Sequence, residues 1–211
     1  MTRLVSALYS DWGPFSAING VNSTDVVDSP EELTSKDILI LHGGEDISPS
    51  LYNHPVHPYT SADDKPSRRD TIEWSLLQRA IKLNIPILGL CRGAQMLCAA
   101  AGGYLIQHVD NHGGYHDVLC ADGGEVVTNS CHHQMMYPFD VEHELLMWTK
   151  QKLSDRHLLG DRRNITLELE CEPEMVYFPK IQGFAMQYHP EWMDNDHPAN
   201  IKTLQFINER I

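Results

Sequence analysis

No stretch of about 18 consecutive apolar residues occurs in the chain, so no membrane-spanning helix is expected and the protein is read as cytoplasmic. The apolar run at residues 4–8 is too short for the core of a signal peptide and reads instead as a first strand. Positive charge is scarce: 16 Lys and Arg stand against 29 Asp and Glu, a formal net charge of −13 with no compensating basic run. Such a surface repels the phosphate backbone, which argues against nucleic-acid binding as a primary role. Cysteine pairing is missing too. The five cysteines are odd in number and show no Cys-x-x-Cys spacing, which favours a reducing compartment and free thiols over a disulfide framework or a thiolate zinc site. The 12 histidines include no His-Glu-x-x-His run, so neither a metal nor another cofactor is expected. Linkers, repeats and low-complexity segments are absent. With 211 residues and 42% hydrophobic content, one α/β domain over 1–211 is the economical reading.

What is present centres on residues 84–98, Asn84-Ile-Pro-Ile-Leu-Gly-Leu-Cys-Arg-Gly-Ala-Gln-Met-Leu-Cys98. Residues 86–90 form an unalternating apolar run, as expected of a strand covered on both faces in a parallel sheet. From Ala94 the chain is built of good helix formers and stops at Gly102-Gly103. Between strand and helix lies Gly89-Leu-Cys-Arg-Gly93, the nucleophile-elbow pattern with sulfur in place of the hydroxyl. The flanking glycines let strand and helix approach, and Cys91 is expected at the C-terminal edge of the sheet. There the helix N-terminus is expected to lower the thiol pKa and to offer N–H groups to an oxyanion.

Along the rest of the chain, residues 37–42 read as a second buried strand running into Gly43-Gly44, where backbone must come close to something. A short strand near 25–27 and a short helix from Ser29-Pro30 fill the segment before it. Residues 45–65 read as a long surface loop, and 66–84 as a helix with one apolar face. After Gly103, strand-like pieces at 104–106, 116–120, 125–128, 142–149, 165–170, 175–178 and 183–188 are separated by Asn-His-Gly-Gly and Ala-Asp-Gly-Gly turns. A helix over 198–210 closes the chain. The expected architecture is an α/β three-layer sandwich with a mostly parallel central sheet and extra antiparallel strands in the C-terminal half.

A thiolate nucleophile needs a base, and the base needs an orienting group. Gln187-Tyr-His-Pro-Glu191 follows the strand at 183–186, and one residue between His189 and Glu191 lets both side chains point the same way. Together with the elbow, this motif resembles the class I glutamine amidotransferase superfamily, a flavodoxin-like fold. The γ-glutamyl-γ-aminobutyrate hydrolase-like (peptidase-type) branch fits best, through Leu41-His-Gly-Gly-Glu-Asp-Ile-Ser-Pro-Ser-Leu-Tyr52, Arg69-Asp-x-x-Glu73 and Asn129-Ser-Cys-His-His-Gln134.

The resemblance implies a catalytic triad of Cys91, His189 and Glu191, and an oxyanion hole from the backbone N–H groups of Gly44 and Arg92. It implies substrate binding by Gln95, by the Gly43 turn and by His132, His133 and Gln134. Arg69 and Glu73 either line the site or form a pair on the helix surface. The family's full helix between the first two core strands has room here only in abbreviated form. Implied is a cysteine-dependent amidohydrolase that cleaves glutamine or another small γ-glutamyl amide through a thioester, with no cofactor. The alternatives are a glutaminase subunit serving a separate synthetase partner, and a catalytically silent binding protein. A homodimer is compatible with the fold.

Overall fold

The apolar runs expected to be covered on both faces become the inner strands of one sheet. The structure, a computed structural model, describes residues 2–159 and 169–211. In chain order the strands are β1 (Thr2–Ala7), β2 (Val21–Val27), β3 (Asp37–Leu41), β4 (Ile87–Leu90), β5 (Tyr104–Ile106), β6 (His108–Val109), β7 (Gly113–Cys120), β8 (Glu125–Cys131), β9 (Met135–Tyr137), β10 (Glu144–Thr149), β11 (His157–Leu158), β12 (Pro173–Phe178) and β13 (Gly183–Met186). The α-helices are α1 (Arg68–Leu83), α2 (Arg92–Ala100) and α3 (Pro198–Asn208).

Nine strands pair in the order β2-β1-β3-β4-β13-β12-β10-β7-β8. The pairings from β2 to β13 are parallel, and those from β13 to β8 are antiparallel. Every residue of β3, β4 and β13 is buried, because apolar layers cover both faces. One layer joins Leu39, Leu41, Ile87 and Ala185 to α1 and α2; the other joins Ile38, Ile40, Leu88 and Phe184 to α3. The three-layer α/β sandwich is therefore the observed fold.

Helix α1 begins where the Ser67 side chain accepts the Asp70 N–H and Asp70 answers at the Ser67 N–H, a reciprocal cap. It ends at Asn84, whose φ of 54° closes the last turn. The helical segments between β1 and β3 are two short 3₁₀ turns, Gly13–Ala17 and Pro30–Glu32, so the full helix is abbreviated as expected. Strand β2 runs over seven residues, not just 25–27; its middle is polar and exposed, so it carries no hydrophobic signal and is held by pairing with β1. The Asn-His-Gly-Gly segment is not a turn: Gly113 and Gly114 already pair with Cys131 and Ser130 in the ladder. Ala121-Asp-Gly-Gly124 does join β7 to β8. Of the strand expected over 165–170, residues 165–168 lie outside the described residues, and 169–170 are not in a strand.

Candidate active site

Three adjacent parallel strands deliver the site. Leu41 is in register with Gly89, and Leu90 with Met186, so β3, β4 and β13 end at one edge of the sheet. His42-Gly43-Gly44, Cys91 and Gln187-Tyr188-His189 leave from those three ends.

Cys91 is the corner, with φ 47° and ψ −98°, a conformation that non-glycine residues seldom adopt. Its N–H donates to the Met186 carbonyl at 2.7 Å and its carbonyl accepts the Gln95 N–H, which ties the corner to β13 and to α2. The flanking glycines are steric necessities. A Cβ on Gly89 would lie 2.5 Å from the Gly93 backbone, and one on Gly93 would lie 2.2 Å from the Leu41 carbonyl oxygen. At the upstream pair, a Cβ on Gly43 would strike His189 Cε1 at 2.6 Å and sit 3.5 Å from Cys91 Cβ, and Gly44 is needed for its φ of 142°.

His189 Nδ1 lies 2.7 Å from Glu191 Oε1, so the ring donates its Nδ1–H to the carboxylate and keeps Nε2 as the free nitrogen. Asn129 clamps the backbone of the same residue: its Nδ2–H donates to the His189 carbonyl and its Oδ1 accepts the His189 N–H, each at 2.8 Å. The Trp192 ring stacks on the imidazole at 3.7 Å between centroids and 2° between planes. Neither Trp192 nor Asn129 was singled out by sequence spacing, because each acts through a contact that only the folded chain creates.

Two cavities meet at Cys91. The larger, about 440 Å³, is lined by Tyr9, Asp11, His42, Arg69, His189 and Trp192 among others. The smaller, about 120 Å³, is lined by Gly44, Asp46, Gln95 and the 131–134 segment. There Gln95 Nε2 donates to the Gln134 carbonyl at 3.1 Å, and His133 Nε2 meets Asp46 Oδ1 at 3.1 Å. Burial alone would raise Asp46, but His133 and the Ser61 donors hold it below the usual carboxylate range; Asp46 in turn raises His133 against its own burial.

Arg69 and Glu73 are not a surface pair. Glu73 is fully buried and does not reach the cavity; it joins Arg69 to Arg92, whose guanidinium also pairs with Asp70. Arg69 lines the cavity, stacks over the Tyr9 ring and donates to the His42 and Gly43 carbonyls at 3.1 and 2.9 Å. The Arg92 side chain thus faces away from the thiol, while its backbone N–H approaches the sulfur.

The expected low thiol pKa is not found. Burial, with the Glu191 charge adding to it, pushes Cys91 up to about 12, and the Arg92 N–H offsets only part of this. The thiol is 5% exposed, and desolvation of a thiolate there outweighs the helix N-terminus. All five cysteines are free. No helix among the described residues is long and apolar enough to cross a membrane.

Comparison with known proteins places this arrangement. The Peptidase C26 family model matches residues 21–136. A Schizosaccharomyces pombe protein named as a glutamine amidotransferase is 40% identical over 183 residues, covering 82% of this chain and 69% of that protein. NtpR of Enterococcus hirae is 43% identical over 76 residues, which cover 36% of this chain and 31% of NtpR. A Mycobacterium tuberculosis relative, also named as a glutamine amidotransferase, is 42% identical over 77 residues covering 36% of this chain, and only 24% of its own length is matched. This chain therefore spans about a quarter to a third of the last two relatives. Among solved structures, a glutamine amidotransferase from Thermotoga maritima superposes with TM-score 0.60 at 16% identity, over 90% of this chain and 76% of that one. PurLQS from Thermotoga maritima gives TM-score 0.62 at 13% identity, over 99% and 98%. These likenesses carry the fold, whereas the family match over more than half of the sequence carries the relationship: the chain belongs to the Peptidase C26 family of class I glutamine amidotransferase-like proteins.

Proposed function

We propose that the chain, as one catalytic domain over 1–211, is a cytoplasmic cysteine-dependent amidohydrolase that cleaves the γ-glutamyl amide bond of glutamine or of a γ-glutamyl amine. The observation that carries this reading is the meeting at Gly43 of the elbow cysteine and the Glu191-bound imidazole, both lining one cavity.

Because the resting group is a thiol, activation falls to the base. His189 Nε2 takes the Cys91 proton as sulfur attacks the γ-carbonyl, and the Glu191 carboxylate steadies the imidazolium. The Gly44 and Arg92 N–H groups receive the oxyanion. Collapse breaks the C–N bond, and His189 returns its proton to the leaving amine. A water molecule, deprotonated by the same imidazole, then attacks the thioester, and glutamate leaves as Cys91 regains its proton.

The smaller cavity, with Gln95 and the 132–134 segment, suits the γ-glutamyl group, and the larger one suits the departing amine. Cys91→Ala and Cys91→Ser are expected to lose several orders of magnitude in glutamate release from γ-glutamyl amides. Wild-type turnover by either variant would overturn the reading.

A second reading keeps the chemistry and has the chain supply ammonia to a separate synthetase. It is supported by 27% identity over 143 residues to the aminodeoxychorismate synthase of Streptomyces pristinaespiralis, of which 17% is matched. Steady turnover by the isolated chain favours the hydrolase; near silence favours the subunit.

A further inference from the structure

Behind the 131–134 wall lies a cluster of buried side-chain atoms that the reaction does not use. Among the described residues, His112, His132 and Glu174 each bring one ligand atom to within 4.8 Å of the others. They come from three segments: the residue before β7, the residue after β8, and β12. His112 Nδ1, His132 Nε2 and Glu174 Oε2 are sealed from solvent and have no hydrogen-bond partner, while His112 Nε2 has only the Glu172 carboxylate, at 3.5 Å. A buried polar atom is normally paired, and three unpartnered atoms on the three residues of one cluster mark a shared occupant.

The surrounding bonds prepare these atoms as ligands. His132 Nδ1 lies 2.8 Å from the Gln134 carbonyl, so it carries the proton and leaves the Nε2 lone pair bare. Glu174 Oε1 bonds His116 Nε2 at 2.9 Å, which orients the carboxylate and turns Oε2 free. Outer partners of this kind, a backbone carbonyl on one imidazole and a histidine on the carboxylate, fix ligand direction in metal sites. The Glu172 carboxylate stands 3.5 Å from His112 Nε2. It also accepts from His157 and from the Leu153 and Ser154 N–H groups, so a second carboxylate is held in place beside the cluster.

We propose that His112, His132 and Glu174 form a buried site for a first-row transition-metal dication, Zn²⁺ by its two-imidazole, one-carboxylate ligand set. Ca²⁺ and Mg²⁺ prefer all-oxygen shells and do not match it. Ligands about 2.0–2.1 Å from a tetrahedral ion stand about 3.4 Å apart, so binding draws the three atoms inward by roughly an ångström. The ion pins the start of β7 and the 131–134 segment onto β12. It is a structural tie behind the smaller cavity and takes no part in the reaction at Cys91.

The test reads metal rather than turnover. The chelator-stripped full chain, titrated with Zn²⁺, is expected to bind one equivalent, and Co²⁺ at the same site to give visible d–d bands without sulfur-to-metal charge transfer. Both results persist in a Cys91→Ala/Cys131→Ser chain. His112→Gln and Glu174→Gln each weaken binding on the order of 100-fold, and His116→Gln by about 10- to 100-fold. A charge-transfer band that disappears with the cysteines would move the ion to thiolates and overturn the proposal. So would wild-type binding no tighter than that of His112→Gln, or no uptake at all, which leaves the cluster to a water molecule. Should a variant fail to fold by circular dichroism, the wild-type cobalt spectrum decides alone.

Discussion

A thiol that rests protonated changes what labelling will show. The strand-turn-helix pattern around Cys91 leads one to expect a thiolate at neutral pH, yet burial and Glu191 push the group up to about 12. In the free protein, iodoacetamide is therefore expected to modify exposed Cys131 before Cys91 at pH 7, with the Cys91 rate still climbing beyond pH 9. A Cys91 rate that levels off below pH 8 would show that the sulfur is ionised in the resting site. The neighbouring cavity has a pH signature of its own. His133, raised by Asp46, stabilises the fold fully below its unfolded pKa near 6.5, and this is lost as pH rises through the raised folded value. Asp46, lowered by His133 and the Ser61 donors, contributes above its unfolded pKa near 3.9, and this is lost as pH falls through the depressed value. The melting-temperature gap between wild type and His133→Gln should be widest between about pH 4 and 6.5 and close as pH rises through the raised folded value; a flat gap would show that the pair does not form. The side chain is 43% exposed, so the gap is small. At this scale the strained Cys91 corner and the His189–Glu191 contact were legible because each sits in one short motif. Asn129 was not, since it reaches His189 across 60 residues of chain, and the downward thiol shift failed because burial cannot be read from spacing.

Elements inherit these constraints through backbone contact. Helix α2 can start directly behind β4 only because Gly93 brings no Cβ toward the Leu41 carbonyl, 2.2 Å from where that carbon would stand. Gly93→Ala must push α2 off β3, at about 1–3 kcal/mol for overpacking, and it tilts the Arg92 N–H away from the thiol. A thermal melt within a degree of wild type would show that the elbow has slack. Helix α1 is fastened to α2 by Arg92, buried between Asp70 and Glu73. Arg92→Met leaves Asp70 buried without its cation and Glu73 with Arg69 alone, at about 3–5 kcal/mol, whereas removing the carboxylate charges with Asp70→Asn and Glu73→Gln in the same chain should recover much of it. Denaturant titration of the single and triple variants checks the loss and its recovery. The helices and inner strands were legible for the same reason that they are stable: apolar residues at helical or unbroken spacing leave few alternatives. Strand β2 was under-read, because the polar, exposed Asn22-Ser-Thr-Asp25 carries no apolar pattern and holds its place through the β1 ladder and the Arg3–Asp25 pair.

At the scale of the whole molecule, an acidic protein selects its ligands before they touch the site. The formal charge of −13 surrounds a cavity whose own lining mixes Asp11, Glu191 and Arg69. A γ-glutamyl substrate carries its α-carboxylate into that field, and a cationic amine on the leaving side offsets the repulsion, while an anionic one adds to it. Added salt screens charges beyond about 10 Å at 0.1 M ionic strength. Under the hydrolase reading, kcat/KM for a γ-glutamyl amide with an anionic leaving group is therefore expected to rise with salt, and that for a cationic leaving group to fall, so that their ratio narrows severalfold between about 0.01 and 0.3 M. The shift should lie in KM, because the fields act on approach, and kcat should hold since Cys91 and His189 are shielded from bulk ions. A ratio unmoved by salt would mean that Arg69 and the local lining set the preference by contact, and the leaving group would then have to be sought from the shape of the larger cavity rather than from the charge of the chain.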